Sequence, residues 1–174
     1  MLDAAGLIEK HRSRGALIDA NLLLLYLIGK TNKGRIRDFK PCDKFEEEDF
    51  DLLERLAAYL GKLMTTPHIL TEVSNLAKLR DRELFAFRQG YKVLVEQMEE
   101  FYDVSRAVVA DVSFMRLGLT DAAIAMFSRR NLLVLTLDLD LFLMLQRRGV
   151  DVVNFNHIRA QNWQWQKKSG RRRV

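Results

Sequence analysis

The chain has 174 residues, 48% of them hydrophobic, with nine glycines and two prolines, which fits one globular domain and excludes an intrinsically disordered protein. Its formal net charge is +5, and residues 161–174, with five basic residues and no acidic one, account for that excess. The longest apolar stretch, residues 16–29, is interrupted by Asp19 and Asn21, so no membrane span is expected, and the lack of a signal pattern predicts a cytoplasmic protein.

The first part of the chain predicts a strand, two helices and a second strand. Residues 17–28 begin as a buried strand and become a helix, because their apolar run is too long for one strand. Residues 29–45 are rich in charge and predict a loop, in which the single cysteine, Cys42, has no expected role. Acidic residues at 46–49 favour the start of a helix that runs to about Leu60. Residues 62–65 predict a short strand.

The remaining chain alternates helices with strands. The predicted elements are a helix from the Thr66-Pro67 cap to about residue 79, a helical section over residues 81–114 with a break near 103–105, a helix capped by Thr120 that runs to about residue 130, a strand at 132–137, a helix at 141–148 and a strand at 150–155. This alternation is typical of an α/β fold with a parallel sheet. We expect one domain over residues 1–160, followed by a basic tail over 161–174.

Four acidic residues stand at junctions of these elements: Asp19, Glu72, Asp121 and Asp138. Carboxylates near buried strands are costly unless a positive charge gathers them, and loops at the carboxyl ends of parallel strands converge on one crevice. Oxygen ligands without a histidine or cysteine cluster favour Mg²⁺ or Mn²⁺ over zinc. Asp140, two residues beyond Asp138, is a candidate fifth ligand.

Each of these acids also has a purely structural interpretation. Thr120 and Asp121 are typical of an ordinary helix start, Glu72 is one helix position among many, and Asp138 fits the beginning of a turn. Asp19 is the hardest to explain in this way, because it lies between two runs of residues that we expect to be buried.

Four segments resemble the motifs of the PIN-domain ribonuclease family and follow in the family's order. Residues 17–21 (Leu-Ile-Asp-Ala-Asn) look like its opening motif, and residues 66–75 are similar to its glutamate-bearing second motif. Residues 118–125 resemble the third, and residues 133–140 resemble the fourth, a strand that ends in Thr-x-Asp. The resemblance implies a three-layer α/β/α fold with a central, mainly parallel sheet and Mg²⁺- or Mn²⁺-dependent cleavage of RNA.

The resemblance also implies roles for individual residues. Asp19, Glu72, Asp121 and Asp138 would be the catalytic acids and metal ligands, with Asp140 as an accessory ligand. The supporting positions are Asn21, Asn75, Thr120 and Thr136. Asn75 lies one turn after Glu72 and either shares its face of the helix or is a simple surface amide.

Basic residues elsewhere are expected to hold the RNA backbone, because an acidic pocket alone repels phosphate. The candidates are Lys33, Arg35, Arg37 and Lys40 in the first loop, and Lys167, Lys168, Arg171, Arg172 and Arg173 in the tail. A solvated end that binds nothing is an equally good interpretation of the tail.

The resemblance points to the toxin of a type II toxin–antitoxin pair, similar to virulence-associated protein C, with an antitoxin protein and a second copy of the chain as partners. Two alternatives stay open. The same site would also suit a nuclease of structured RNA or DNA in processing, repair or defence. A non-catalytic binding module that retains the fold is the other alternative.

Overall fold

The structure is a computed structural model that describes residues 3–12 and 14–160, with the backbone alone at Arg129. The expected basic tail, residues 161–174, lies outside the described residues, and so do its five candidate RNA-binding side chains.

Helices and short strands alternate along the described chain. The helices are α1 (Ala4–Lys10), α2 (Ala20–Asn32), α3 (Glu47–Leu60), α4 (Pro67–Leu76), α5 (Asp81–Gln97), α6 (Ser105–Val108), α7 (Phe114–Leu117), α8 (Leu119–Phe127) and α9 (Leu139–Arg147). The strands are β1 (Ala16–Ile18), β2 (Leu63–Thr65), β3 (Glu99–Glu100), β4 (Leu133–Thr136) and β5 (Val152–Asn154). Short 3₁₀ turns cover Lys33–Arg35, Lys40–Cys42 and Ser128–Arg130.

The strands form one five-stranded sheet in the order β3-β2-β1-β4-β5, and every pairing is parallel. Helices flank the sheet, so the predicted α/β fold is confirmed and agrees with a three-layer arrangement. The chain builds β1, β2 and β3 toward one edge and then places β4 on the other side of β1. In sheets of this type the point where the direction reverses opens a crevice at the carboxyl ends of the strands.

The central strands are buried on both faces. All of β1 and the residues Leu133, Val134 and Leu135 of β4 have no exposed surface, which explains their uninterrupted apolar sequences. Helix α2 is buried almost all round, including Leu22 to Leu25. No helix in the described ranges is long and apolar enough to cross a membrane.

Two sequence predictions about irregular segments were wrong. Residues 29–45 are not a polar loop, because α2 continues to Asn32 and the chain then buries Ile36, Phe39, Cys42 and Phe45. Of these four residues, Cys42 lies within a 3₁₀ turn, and Ile36 and Phe39 each flank one. Burial raises the pKa of the Cys42 thiol to about 12, so this cysteine is a core residue and not an incidental one.

The predicted helical section over residues 81–114 contains a strand. Helix α5 ends at Gln97, and Glu99 and Glu100 then pair with Met64 and Thr65 of β2 as the edge of the sheet. Acidic side chains are common on edge strands because they discourage further pairing, but two glutamates give no strand signal in the sequence.

The observed ends of several helices also differ by a few residues from the predicted ones. Helix α4 ends at Leu76, α8 begins after a Gly118 cap instead of a Thr120 cap, and α9 starts at Leu139. Helix α1 was not predicted. These shifts leave the order of the elements unchanged.

We predict opposite effects of alanine at two helical glycines. A Cβ at Gly29 would overlap the ring of Phe50, whereas a Cβ at Gly90 would meet only Thr31 Oγ1, 3.8 Å away. Gly29→Ala should therefore lower the free energy of unfolding by about 1–3 kcal/mol through overpacking. Gly90→Ala should raise it by about 0.5–1 kcal/mol, because alanine favours the helix. Urea unfolding of both variants measures this, and a neutral Gly29→Ala would contradict the close packing.

Candidate functional site

Asp19 is the first residue after β1, and its carboxylate joins three elements. Its Oδ1 accepts a hydrogen bond from the Leu22 amide at 2.9 Å and so caps α2. Its Oδ2 accepts from the Thr136 hydroxyl at 2.6 Å and from the Leu137 amide at 2.7 Å, both at the end of β4. The residue is only 4% exposed. This set of donors fixes the position of the carboxylate where β1 and β4 end side by side.

Thr136 connects Asp19 to Asp138. Its hydroxyl donates to Asp19 and accepts from the Asp138 amide at 2.9 Å. The Asp138 carboxylate in turn accepts from the Leu141 amide at 2.8 Å and caps α9. The buried Thr136 hydroxyl therefore adds a side-chain link to the backbone pairing at the ends of the two strands.

The four predicted acids line one cavity of about 190 Å³. Asp19 and Asp138 reach it from the ends of β1 and β4, Glu72 from α4 and Asp121 from the first turn of α8. The cavity lies at the reversal point of the sheet, as the topology requires. Among the described residues no lysine or arginine lines it. The acids that the sequence places at four separate junctions thus come together in space.

The surroundings of the cavity disfavour the charged form of two of its carboxylates, those of Asp121 and Asp19. Burial, together with the negative charges of Asp138, Asp19 and Glu72, raises the pKa of Asp121 to about 7. Burial also raises the pKa of Asp19, although its three hydrogen bonds and the charge of Lys44 oppose that shift. At neutral pH the Asp121 carboxyl group is therefore partly protonated.

The chemistry of these side chains fits a hard divalent cation. All four are oxygen ligands, which suits Mg²⁺ or Mn²⁺. Asp19 uses three of about four acceptor positions on its carboxylate, so about one remains for a ligand. In the part of the chain that the structure describes, no three acidic, histidine or cysteine side chains form a complete ligand set.

The other predicted site residues fall into three groups. Asn21 and Thr120 line the cavity, and Thr136 lies behind it. Asp140 points away, and its carboxylate pairs on the surface with Arg116 at 2.6 Å. Asn75 is exposed and lines a neighbouring groove instead of the cavity. The structure therefore brings together the four main acids with three of their four supporting residues, Asn21, Thr120 and Thr136.

Three of the four candidate basic residues of the first loop already contact acidic side chains. The 13 residues of α2 separate Asp19 from Lys33, which corresponds to about 20 Å of helix. Lys33 pairs with Asp51 at 2.7 Å, Arg35 pairs with Glu83 at 3.0 Å, and Arg37 pairs with Glu46. Lys40 is exposed. Lys33, Arg35 and Arg37 therefore form ion pairs within the protein, which the sequence did not predict.

Two residues near the site, Lys44 and Asn154, were not predicted from the sequence. The charge of Lys44 acts on Asp19, and buried Asn154 lies beside Thr136 in the register of β4 and β5. No spacing rule identifies Lys44, because an irregular segment carries it back toward the site. Asn154 had a weak signal, since it ends a strand next to the strand that bears Asp138.

Comparisons with protein-family models and with curated proteins found no match for this chain. The resemblance to PIN-domain motifs therefore depends on the four sequence segments themselves. The functional interpretation depends on the geometry and charge of the cavity.

We predict that the hydroxyl of Thr136 contributes strongly to stability. Thr136→Val removes the donor to Asp19 and the acceptor for the Asp138 amide, and should lower the free energy of unfolding by about 1–3 kcal/mol. Thr65→Val is the matched control, because Thr65 ends β2 on the other side of β1, is equally buried, and makes only a 3.5 Å contact to a carbonyl. Urea unfolding compares the two, and equal losses would contradict the bridging role of Thr136.

We also predict that Asp121 makes stability depend on pH. Its pKa is about 7 in the folded protein and about 3.9 in an unfolded chain. The folded state therefore binds more protons between these values, and the free energy of unfolding should fall as the pH rises from about 4 to 7. In EDTA, Asp121→Asn should be more stable than the wild type at pH 8 by about 1–3 kcal/mol and similar to it at pH 4.

Urea unfolding at several pH values measures this difference. Glu96→Gln, which removes an exposed acid on α5, is the control and should follow the wild type. An unchanged pH slope in Asp121→Asn would show that another group controls it.

Proposed function

We propose that this protein is a Mg²⁺- or Mn²⁺-dependent endoribonuclease of the PIN-domain type. The observation that carries the proposal is the convergence of Asp19, Glu72, Asp121 and Asp138 on one cavity at the reversal point of the parallel sheet. The raised pKa of Asp121 supports it, because burial and three neighbouring carboxylates disfavour its negative charge, and within the described residues no lysine or arginine lines the cavity.

Each residue has a distinct part in the proposed site. Asp19, Glu72, Asp121 and Asp138 would hold the ion, and Thr136 keeps the Asp19 carboxylate oriented through its 2.6 Å hydrogen bond. A bound divalent ion would neutralise the phosphodiester and lower the pKa of the attacking water. Asp121, with its pKa of about 7, would give up its proton when a cation enters. The Asn21 amide and the Thr120 hydroxyl line the cavity and would donate hydrogen bonds to phosphate oxygens.

The cellular role that we propose is that of a toxin controlled by an antitoxin. A partner segment that presents an arginine or lysine to the cavity would neutralise the carboxylates and exclude RNA. A homodimer belongs to the same proposal. Arrest of growth on expression of the wild type, relieved by substitution of the acids, is the corresponding cellular readout.

The direct test is cleavage of total RNA by the purified protein with Mn²⁺, with Mg²⁺ and with EDTA. We expect discrete fragments with either metal and none with EDTA. Glu72→Gln and Asp138→Asn should each lower the cleavage rate by about 100-fold or more. Asparagine is as good a helix cap as aspartate, so Asp138→Asn should keep the α9 cap and remain folded by circular dichroism. Asp19→Asn is a poorer test, because the Asp19 carboxylate also accepts three structural hydrogen bonds.

Glu96→Gln, on the exposed face of α5, is the control and should cleave like the wild type. Cleavage that persists in EDTA or in both acid variants would refute the proposal. Equal cleavage of DNA would favour the broader nuclease, and metal binding without any hydrolysis would favour the non-catalytic module.

A further inference from the structure

A groove of about 590 Å³ lies beside the acidic cavity, between α4 and the start of α8. Glu72, Leu119 and Thr120 line both spaces. A ligand in the groove would therefore be continuous with anything that is bound at the carboxylates.

The acidic cavity and the groove differ in volume and therefore suit different ligands. The acidic cavity, at about 190 Å³, is smaller than the range of about 300–1,000 Å³ that small-molecule sites occupy. It suits ions and a phosphate group and leaves no room for a base and its sugar. The groove, at about 590 Å³, lies within that range.

The walls of the groove combine apolar and hydrogen-bonding groups. Leu76 and Leu119 provide apolar surface, and Asn75 lies one turn after Glu72 on the same side of α4. The Asn75 side chain is exposed and carries both a donor and an acceptor. This combination suits a flat base whose edge both donates and accepts hydrogen bonds.

A lysine stands just beyond the end of α4, at the margin of the groove. Lys78 is exposed, and within the described ranges no carboxylate forms an ion pair with it. Lys33, Arg35 and Arg37 differ, because each already contacts an acid. The Lys78 ammonium is thus available for a phosphate that follows the one in the acidic cavity.

We infer that this groove binds one nucleotide of single-stranded RNA next to the phosphate that reacts. The base packs between Leu76 and Leu119, its edge contacts the Asn75 amide, and the next phosphate contacts Lys78. This assignment rests on the proposed function, because the phosphate in the acidic cavity defines which nucleotide occupies the groove. Asn75 lines the groove but not the acidic cavity. It therefore determines which base is preferred.

The test is a titration of ¹⁵N-labelled protein in EDTA with the four nucleoside 5′-monophosphates and with ribose 5-phosphate, followed by NMR. We expect the amide signals of Asn75, Leu76 and Leu119 to move, and nucleotides to bind more tightly than ribose 5-phosphate. Lys78→Gln should weaken nucleotide binding by about 5- to 10-fold. Asn75→Ala should reduce the differences among the four bases. Lys92→Gln, an exposed lysine on α5, is the control and should bind like the wild type.

Signals that move only outside the groove would overturn the inference, and so would an affinity that is equal in Lys78→Gln and the wild type. Binding of ribose 5-phosphate as tightly as nucleotides would show a phosphate site without a base site and would also overturn it. Because this readout involves neither metal nor cleavage, it can succeed or fail separately from the nuclease assay.

Discussion

Burial of a carboxylate is costly unless hydrogen-bond donors replace the water that it loses. Asp19 is 4% exposed, and its donors come from the first turn of α2 and from the end of β4. Those bonds compensate the burial only when β1, α2 and β4 occupy their native positions. The geometry of the cavity follows from this requirement, because Thr136 also holds the Asp138 amide.

Asp121, unlike Asp19 and the helix cap Asp138, opposes folding instead of supporting it. Asp121 is partly buried, and burial together with three other carboxylates raises its pKa to about 7, so its charged form is disfavoured in the folded protein. A protein selected only for stability would place an amide or an apolar side chain at this position. A cluster of like charges that the fold itself does not neutralise is typical of a site prepared for a ligand of opposite charge.

The sequence was sufficient for the features that regular patterns determine. The apolar runs that begin at residue 17 and cover residues 132–137 identified the central strands, and the convergence of strand ends in parallel sheets placed the four acids around one cavity, as the structure shows. The sequence was insufficient for features that depend on contacts between residues distant along the chain. The ion pair of Asp140 with Arg116 and the pairing of Glu99 with β2 depend on neighbours that are distant in sequence. The buried turns that contain Cys42 follow a three-residue spacing that helix and strand patterns do not detect.

The hydrogen bond between Thr136 and Asp19 joins residues 117 positions apart. This separation determines when the cavity can form during synthesis on the ribosome. Most of the chain, including Glu72 and Asp121, is made before β4 exists. Until β4 pairs with β1, the Asp19 carboxylate has neither its Thr136 donor nor Asp138 beside it. A growing chain therefore cannot assemble the cavity until nearly the whole domain has emerged.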